Sequence, residues 1–345
     1  MTALRVGIVG AGWWAREVHA PAFLAAGAAI AGVCSRTPES AQPLAVALGV
    51  EALPFEALLE RSDALAIASP DDTHAAYAVE GARAGRHIFV EKPLGRDVAE
   101  AETILEAARA AGVVGMTGLT ARGDPMTERA RSLVAERQIG DVLYVRGSFD
   151  IELLADPAVP ASWRTDREVS GPGGAIADLG PHLFDLAEHV TGIEIDEVAV
   201  RGGVHVQRDA LVTNLDEVAV LAGMGGASAL FSMSRVHLGS SAFRLEVQGS
   251  SGAVLLEWGI WEPTRLLFHA SRPGAWEPVE IDALPVEGEF SYGRAQFGRL
   301  ARVFVEAIGS GAPPSPSLED GVRVQRVVDA GWRSVESGGA PVRVT

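Results

Sequence analysis

Along the first 120 residues, short β-rich apolar runs alternate with stretches of helical spacing. Leu4–Val9, Ala29–Cys34, Ala64–Ala68, His87–Val90 and Val113–Thr117 read as strands. Between them lie helical segments such as Thr73–Ala84, stopped by Gly85, and Val98–Ala111, stopped by Gly112. Asp97 and Glu100 are spaced as a capping pair for the second of these. Strands separated by helices predict a parallel sheet and the α/β class.

The pattern changes after Arg122. A helix is expected from about Pro125 to Gln138, then a strand at Val142–Phe149, a loop, and a helix through Ala175–Val190. Strand-like runs then follow without helices between them: Val198–Val206, Asp216–Gly223, Ala227–Val236, Phe243–Gln248, Ala253–Trp258 and Arg265–Ala270. Consecutive strands on short Gly/Ser turns, Gly249-Ser250-Ser251-Gly252 among them, predict an antiparallel sheet. Phe243, Leu245 and Val247 alternate with Arg244, Glu246 and Gln248, so that strand has one buried face. Val218–Leu221 is apolar on both sides, which calls for a cover on the outer face too, and a subunit interface is the natural one. Two helices close the chain near Arg294–Ile308 and Leu318–Ser337, separated by the Pro-rich stretch Pro313–Pro316.

At 345 residues and 48% hydrophobic, the chain can bury one large or two ordinary cores. A net charge of -16 repels phosphate backbones, and no arginine cluster offsets it, so nucleic acid is not an expected partner. No apolar run reaches the roughly 18 residues a membrane helix needs. Leu4–Ala11 is too short for a signal core and continues into a glycine motif that uses it as a strand. Cys34 is the only cysteine, which leaves no intrachain disulfide and no cysteine-based metal cluster; no metal is expected. A soluble cytoplasmic protein follows from these features. Of the 29 basic residues, 28 are arginine; the remaining one, Lys92, follows the apolar run His87–Val90 in Glu91-Lys92-Pro93. An ammonium is a compact donor whose pKa moves on burial, whereas a guanidinium is planar and always charged, so a lone lysine there points to a place where arginine does not serve.

Gly10-Ala11-Gly12-Trp13-Trp14-Ala15 follows the first strand directly and opens a helix. The first glycine permits a tight turn and the second lets backbone amides approach a pyrophosphate. Ala15 keeps helix and strand close, and the helix N-terminus favours the anion. The second strand ends in Cys34-Ser35-Arg36 with no carboxylate at its tip. A carboxylate there would accept from the ribose 2′-hydroxyl of NAD, so Ser35 and Arg36 favour NADP over NAD. Ser69-Pro70-Asp71-Asp72-Thr73-His74 ends the third strand on the ligand-facing edge. There Thr73 or Asp72 is placed to cap the next helix, and His74 either opens that helix or faces the cofactor.

Lys92 lies at the end of another strand, where open α/β sheets place ligands; Pro93 holds it extended and admits a cis bond. A second constellation is Gly173-Gly174-Ala175-Ile176-Ala177-Asp178-Leu179-Gly180-Pro181-His182-Leu183-Phe184-Asp185. If it is helical, Asp178 and His182 share a face, and a carboxylate beside an imidazole fixes the tautomer and raises the basicity a general base requires. Pro181 is expected either to kink that helix or to begin a new one.

Together, the glycine turn, Glu-Lys-Pro, the Gly-Gly…Asp-x-Gly-x-His-x-x-Asp segment and the long terminal helix resemble the glucose–fructose oxidoreductase/inositol dehydrogenase (Gfo/Idh/MocA) family over essentially the whole chain. The resemblance implies a Rossmann NAD(P)-binding domain over 1–121. It implies an α+β substrate domain over 122–345 with a large, mainly antiparallel open sheet that mediates homodimer or homotetramer formation. The terminal helix then packs back on the first domain.

The resemblance implies NAD(P)-dependent redox chemistry on a sugar or cyclitol, with Lys92, Asp178 and His182 catalytic. The cofactor side then comprises Gly10, Gly12, Trp13, Trp14, Ala15, Ser35, Arg36, Ser69, Pro70, His74, Glu91 and Lys92. Arg122, Trp163 and Arg164 resemble substrate-side positions, though both arginines are equally of a kind to pair with acidic neighbours. Two adjacent tryptophans in the turn depart from the family pattern. Two other readings keep the glycine turn: a transient-redox lyase, hydrolase or epimerase with retained nicotinamide, and a non-catalytic NAD(P) sensor. The intact Lys92/Asp178/His182 set argues against the sensor.

Overall fold

Most strand-forming residues of the N-terminal region are buried, which explains why this part of the chain folds around a sheet covered on both faces. The computed structural model describes residues 3–208, 214–239, 241–259, 263–270, 274–281, 284 and 291–345. They form two compact units, one of residues 1–123 with 293–323 and one of residues 124–292 with 324–345.

In the first unit, β1 (Arg5–Val9), β2 (Ala29–Cys34), β3 (Ala64–Ile67), β4 (His87–Val90) and β5 (Gly115–Thr117) form an all-parallel sheet in the order β2-β1-β3-β4-β5. On one face Ile8, Ala66, Phe89 and Met116 pack with Val18, Phe23 and Leu44; on the other Leu65, Ile67, Ile88 and Val90 pack with Ala78, Ala82, Ala101 and Ile104. Strand order reverses between β1 and β3, and such a switch point opens a crevice at the carboxyl ends of the strands.

Two differences from the sequence expectation stand out here. The division falls at 123/124 rather than 121/122, and the stretch 293–323 goes with the first unit rather than the second. The physical reason is burial: the helix Ser291–Ser310 lays Phe297, Leu300, Ala301 and Phe304 into the first core, while Leu318 and Val322 enter the second. Fully burying a phenylalanine is worth about 2–3 kcal/mol, so these side chains hold the segment in place. The helix Val98–Ala111 has Asp97 accepting from Glu100 N at 2.9 Å, which is half of the expected box; the Glu100 carboxylate turns to Arg96 instead.

In the second unit, β6 (Val142–Asp150), β7 (Glu197–Gly203), β8 (Glu217–Met224), β9 (Ala227–Ser234), β10 (Ala242–Gly249), β11 (Ala253–Gly259), β12 (Arg265–His269), β13 (Glu277–Pro278) and β14 (Val342–Arg343) make one sheet among the described residues. The order is β13-β12-β11-β10-β6-β9-β8-β7-β14, antiparallel throughout except for the parallel pair β6–β9. Phe243, Leu245 and Val247 are buried, as the alternation required. The helix Ala175–Thr191 covers this inner face, with Phe184 edge-on to Phe231 at 5.5 Å. It runs unbroken through Pro181, so no new helix begins there, which corrects that half of the expectation. Burial of Ile176, Leu179, Leu183, Phe184 and Leu186 outweighs the roughly 3 kcal/mol that an interior proline costs a helix. On the outer face, Leu221 and Leu230 stand opposite each other across β8 and β9 and are 60% and 52% exposed. No helix among the described residues is long and apolar enough to cross a membrane.

Candidate active site

The carboxyl end of β1 turns at Gly10, where φ is +103° and an added Cβ would stand 2.5 Å from the Ala68 carbonyl oxygen. Only glycine meets both conditions. At Gly12 an added Cβ would meet nothing within 4 Å, so the second glycine borders open space at the start of a helix. That helix begins as one π-wound stretch, Ala15–His19, and continues as Ala20–Ala25. Open space beside backbone amides at a helix start fits a pyrophosphate. Ala15 is fully buried against the sheet, Trp13 is exposed, and Trp14 turns inward. Arg36 is exposed beyond the tip of β2, with Ser35 beside it. Burial, reinforced by Glu56, pushes the neighbouring Cys34 thiol up to about 11, so it stays protonated at neutral pH.

At the end of β3, the Thr73 side chain caps nothing; its hydroxyl lies 2.7 Å from both Pro70 O and Ser69 Oγ. Neither expected cap forms, because Asp71–Thr73 winds as a 3-10 turn leading straight into the helix His74–Arg83. His74 is buried, with Nδ1 2.9 Å from Pro93 O and Nε2 2.9 Å from Ser69 O. Burial lowers its pKa more than these carbonyls raise it. A neutral ring carries one N–H, so the imidazole joins the end of β3 to the end of β4 through one donated bond at a time. His74 thus opens the helix His74–Arg83 with its ring nitrogens facing backbone carbonyls.

Lys92 stands partly exposed at the end of β4, before a cis peptide bond to Pro93. Its neighbour Glu91 is buried beneath the turn, accepting from Trp14 Nε1 at 2.8 Å, from Lys92 N at 3.1 Å, and pairing with His19 Nε2 at 2.8 Å. Arg122 pairs with an acidic neighbour, one of the two expectations for it. Its side chain is 10% exposed and donates to Asp320 at 2.9 Å and Ser315 at 3.2 Å.

In the second unit, Asp178 and His182 occupy the same face of the helix Ala175–Thr191, one turn apart and partly exposed. The Asp178 carboxylate lies 3.7 Å from Arg164 Nε and 3.9 Å from Arg235 Nη1. Arg164 stacks on Trp163 at 4.1 Å, so both loop residues singled out in the sequence gather beside Asp178. His182 packs edge-on to Phe149 at 5.8 Å. Arg235 was missed. It is 1% exposed, donates to the Arg164 carbonyl at 2.9 Å and to the Leu215 carbonyl at 2.7 Å, and burial lowers its pKa. The available signal was the single charged residue of the strand-like run Ala227–Val236.

A glycine turn at a sheet switch point, a lone lysine two strands away and an acid–imidazole helix in a second unit are the equipment of a dinucleotide-dependent oxidoreductase. Residues 4–119 match the oxidoreductase family with NAD-binding Rossmann fold, and residues 127–255 match the GFO/IDH/MocA C-terminal domain. The chain belongs to the Gfo/Idh/MocA family of NAD(P)-dependent oxidoreductases acting on CH–OH groups. It is 30% identical to inositol 2-dehydrogenase of Rhizobium meliloti over 96% of this chain and 97% of that protein. It is 25% identical to levoglucosan dehydrogenase of Pseudarthrobacter phenanthrenivorans over 76% and 75%. A levoglucosan dehydrogenase solved in complex with NADH superposes over 100% of both chains with a TM-score of 0.90 at 25% identity.

Proposed function

We propose that this chain transfers hydride between a nicotinamide dinucleotide and a secondary alcohol or ketone carbon of a sugar, sugar derivative or cyclitol. The observation that carries this reading is the position of the only lysine, partly exposed at the carboxyl end of β4 on the same sheet edge as the glycine turn. The relatives named inositol 2-dehydrogenase and levoglucosan dehydrogenase support the substrate class.

Lys92 donates a hydrogen bond to the carbinol oxygen and stabilises the negative charge that develops there. In the oxidising direction His182 takes the hydroxyl proton, and in reduction it returns it. Asp178, one turn before it, orients the imidazole and stabilises its cationic form, while Trp163 and Arg164 contact substrate beside it. When bound, the nicotinamide accepts or supplies the hydride. Gly10, Gly12 and the helix start hold the pyrophosphate, and Ser35 with Arg36 favour NADP because no carboxylate stands at the tip of β2.

The outer face of the large sheet, with Leu221 and Leu230 flanked by Ala199 and Ala219, receives a second copy of the chain. The protein works in the cytoplasm, where its one buried thiol forms no disulfide.

The test is a panel of sugars, inositols and keto sugars with NAD and with NADP, followed at the absorbance band of reduced nicotinamide. Turnover of at least one member is expected, faster with NADP. Cofactor that copurifies and turns substrate over with no net absorbance change would replace this reading with the transient-redox one.

A further inference from the structure

Glu91 is a charged side chain where the surroundings favour apolar ones. Its carboxylate meets the indole of Trp14 and the buried ring of His19, both of which pack on Phe297, the imidazole at 4.3 Å between centroids. Gly118 leaves room for it: a Cβ there would stand 2.9 Å from Glu91 Oε1. Buried ion-pair partners are commonly replaced by packed hydrocarbon without loss of stability, so stability alone gives no reason to keep this acid.

Its hydrogen bonds give another reason. Oε1 accepts from the indole of Trp14, inside the glycine turn, and pairs with His19 on the helix that follows the turn. Oε2 accepts from the backbone N–H of Lys92. One carboxylate thus ties the dinucleotide-binding turn, the helix behind it and the residue bearing the reactive amine. Burial would raise its pKa, but His19, Lys92 and Trp14 outweigh that and hold it lowered, so the acceptor stays ionised at neutral pH. His19 Nδ1 has no hydrogen-bond partner among the described residues, which leaves Glu91 as the polar contact holding that ring.

We propose that Glu91 is a positioning residue that couples the dinucleotide turn to Lys92, so that occupancy of the turn and placement of the amine are set together. This rests on Lys92 acting as described above. The mechanism is geometric: a displacement of about 1 Å in a reacting group costs on the order of a hundredfold in rate.

The experiment uses Glu91→Gln, which keeps the shape and removes the charge, and Trp14→Phe, which keeps the ring packing and removes the indole N–H. Dinucleotide affinity is measured by calorimetry, and turnover by kcat and KM. Because the chain has one lysine, the rate at which an amine-reactive reagent modifies Lys92 is read by peptide mass spectrometry, with and without dinucleotide.

Glu91→Gln is expected to lower kcat about tenfold or more and to raise the dinucleotide KM. Trp14→Phe moves both the same way, and the double variant is no worse than Glu91→Gln. In the wild-type protein, dinucleotide changes the modification rate of Lys92 several-fold, and both variants lose that response. Independent, multiplicative effects of the two substitutions, or an unchanged labelling response in both, would overturn the proposal. If no substrate turns over at all, the function proposed above fails while the labelling response still decides the coupling.

Discussion

Two polar clusters of this molecule, around Glu91 and around Asp178, are built differently. Around Glu91, in the first unit, a buried carboxylate is met by donors at 2.8–3.1 Å within a dense aromatic core. Around Asp178, in the second, a partly exposed carboxylate faces two guanidinium groups at 3.7–3.9 Å, and Arg164 Nε and Arg235 Nε make no hydrogen bond among the described residues. Short, saturated bonds under low dielectric fix atoms in place; longer charge pairs near water set a field and leave geometry adjustable. Under the function proposed above, this difference divides the labour: one cluster holds the cofactor side rigid and the other adapts to substrate.

The sharpest way to break that contrast is Lys92→Met. Turnover should fall about a thousandfold or more while dinucleotide affinity stays within a few-fold, because the glycine turn is untouched. Lys92→Arg should fail almost as badly, and wild-type turnover in either variant would remove the amine from the chemistry. Next in size is Arg235→Met, which removes a cation from beside Asp178 and the guanidinium donors from the Arg164 and Leu215 carbonyls, leaving the latter its bond from the Ala175 amide. About 3 kcal/mol of stability should be lost in urea unfolding. A loss below about 0.5 kcal/mol would show that the second cluster needs no buried cation.

His182→Ala should lower kcat about a hundredfold and flatten the acidic limb of the pH–rate profile, since the group whose protonation shuts off oxidation is gone. An unchanged limb assigns the base elsewhere.

The smallest effect belongs to Asp320. Burial would raise its pKa, but Arg122 and the Ser317 donors hold it below its ordinary 3.8. A depressed carboxyl stabilises the fold above its unfolded pKa and loses that contribution as pH falls through the folded value. Asp320→Asn should therefore cost about 1–2 kcal/mol at neutral pH, shrinking below about pH 4. A difference that grows toward acid would reverse the sign assigned here.

The first sheet was legible because its strands are nearly all apolar and its helices end at glycines that local sequence marks. Gly10 and Gly12 were legible for the same reason, since a strand, a tight turn and a helix are neighbours in the chain. The helix carrying Asp178 and His182 was less so: local rules weigh Pro181 as a break, and only burial of Leu179, Leu183 and Phe184 against the sheet overrides it. Arg122 was open between two partners until Asp320, 198 residues later, proved to be one of them.

By itself the sequence determined the alternation of elements, the glycine turn between strand and helix, and a single lysine at the end of a strand, because these depend on side-chain spacing over a few residues. Tertiary structure decided the partners. Trp14 and His19 reach Glu91 across 77 and 72 residues, and Arg235 reaches the Arg164 carbonyl across 71. A buried polar group must find a complement wherever the folded chain supplies one, and no local pattern says where that is.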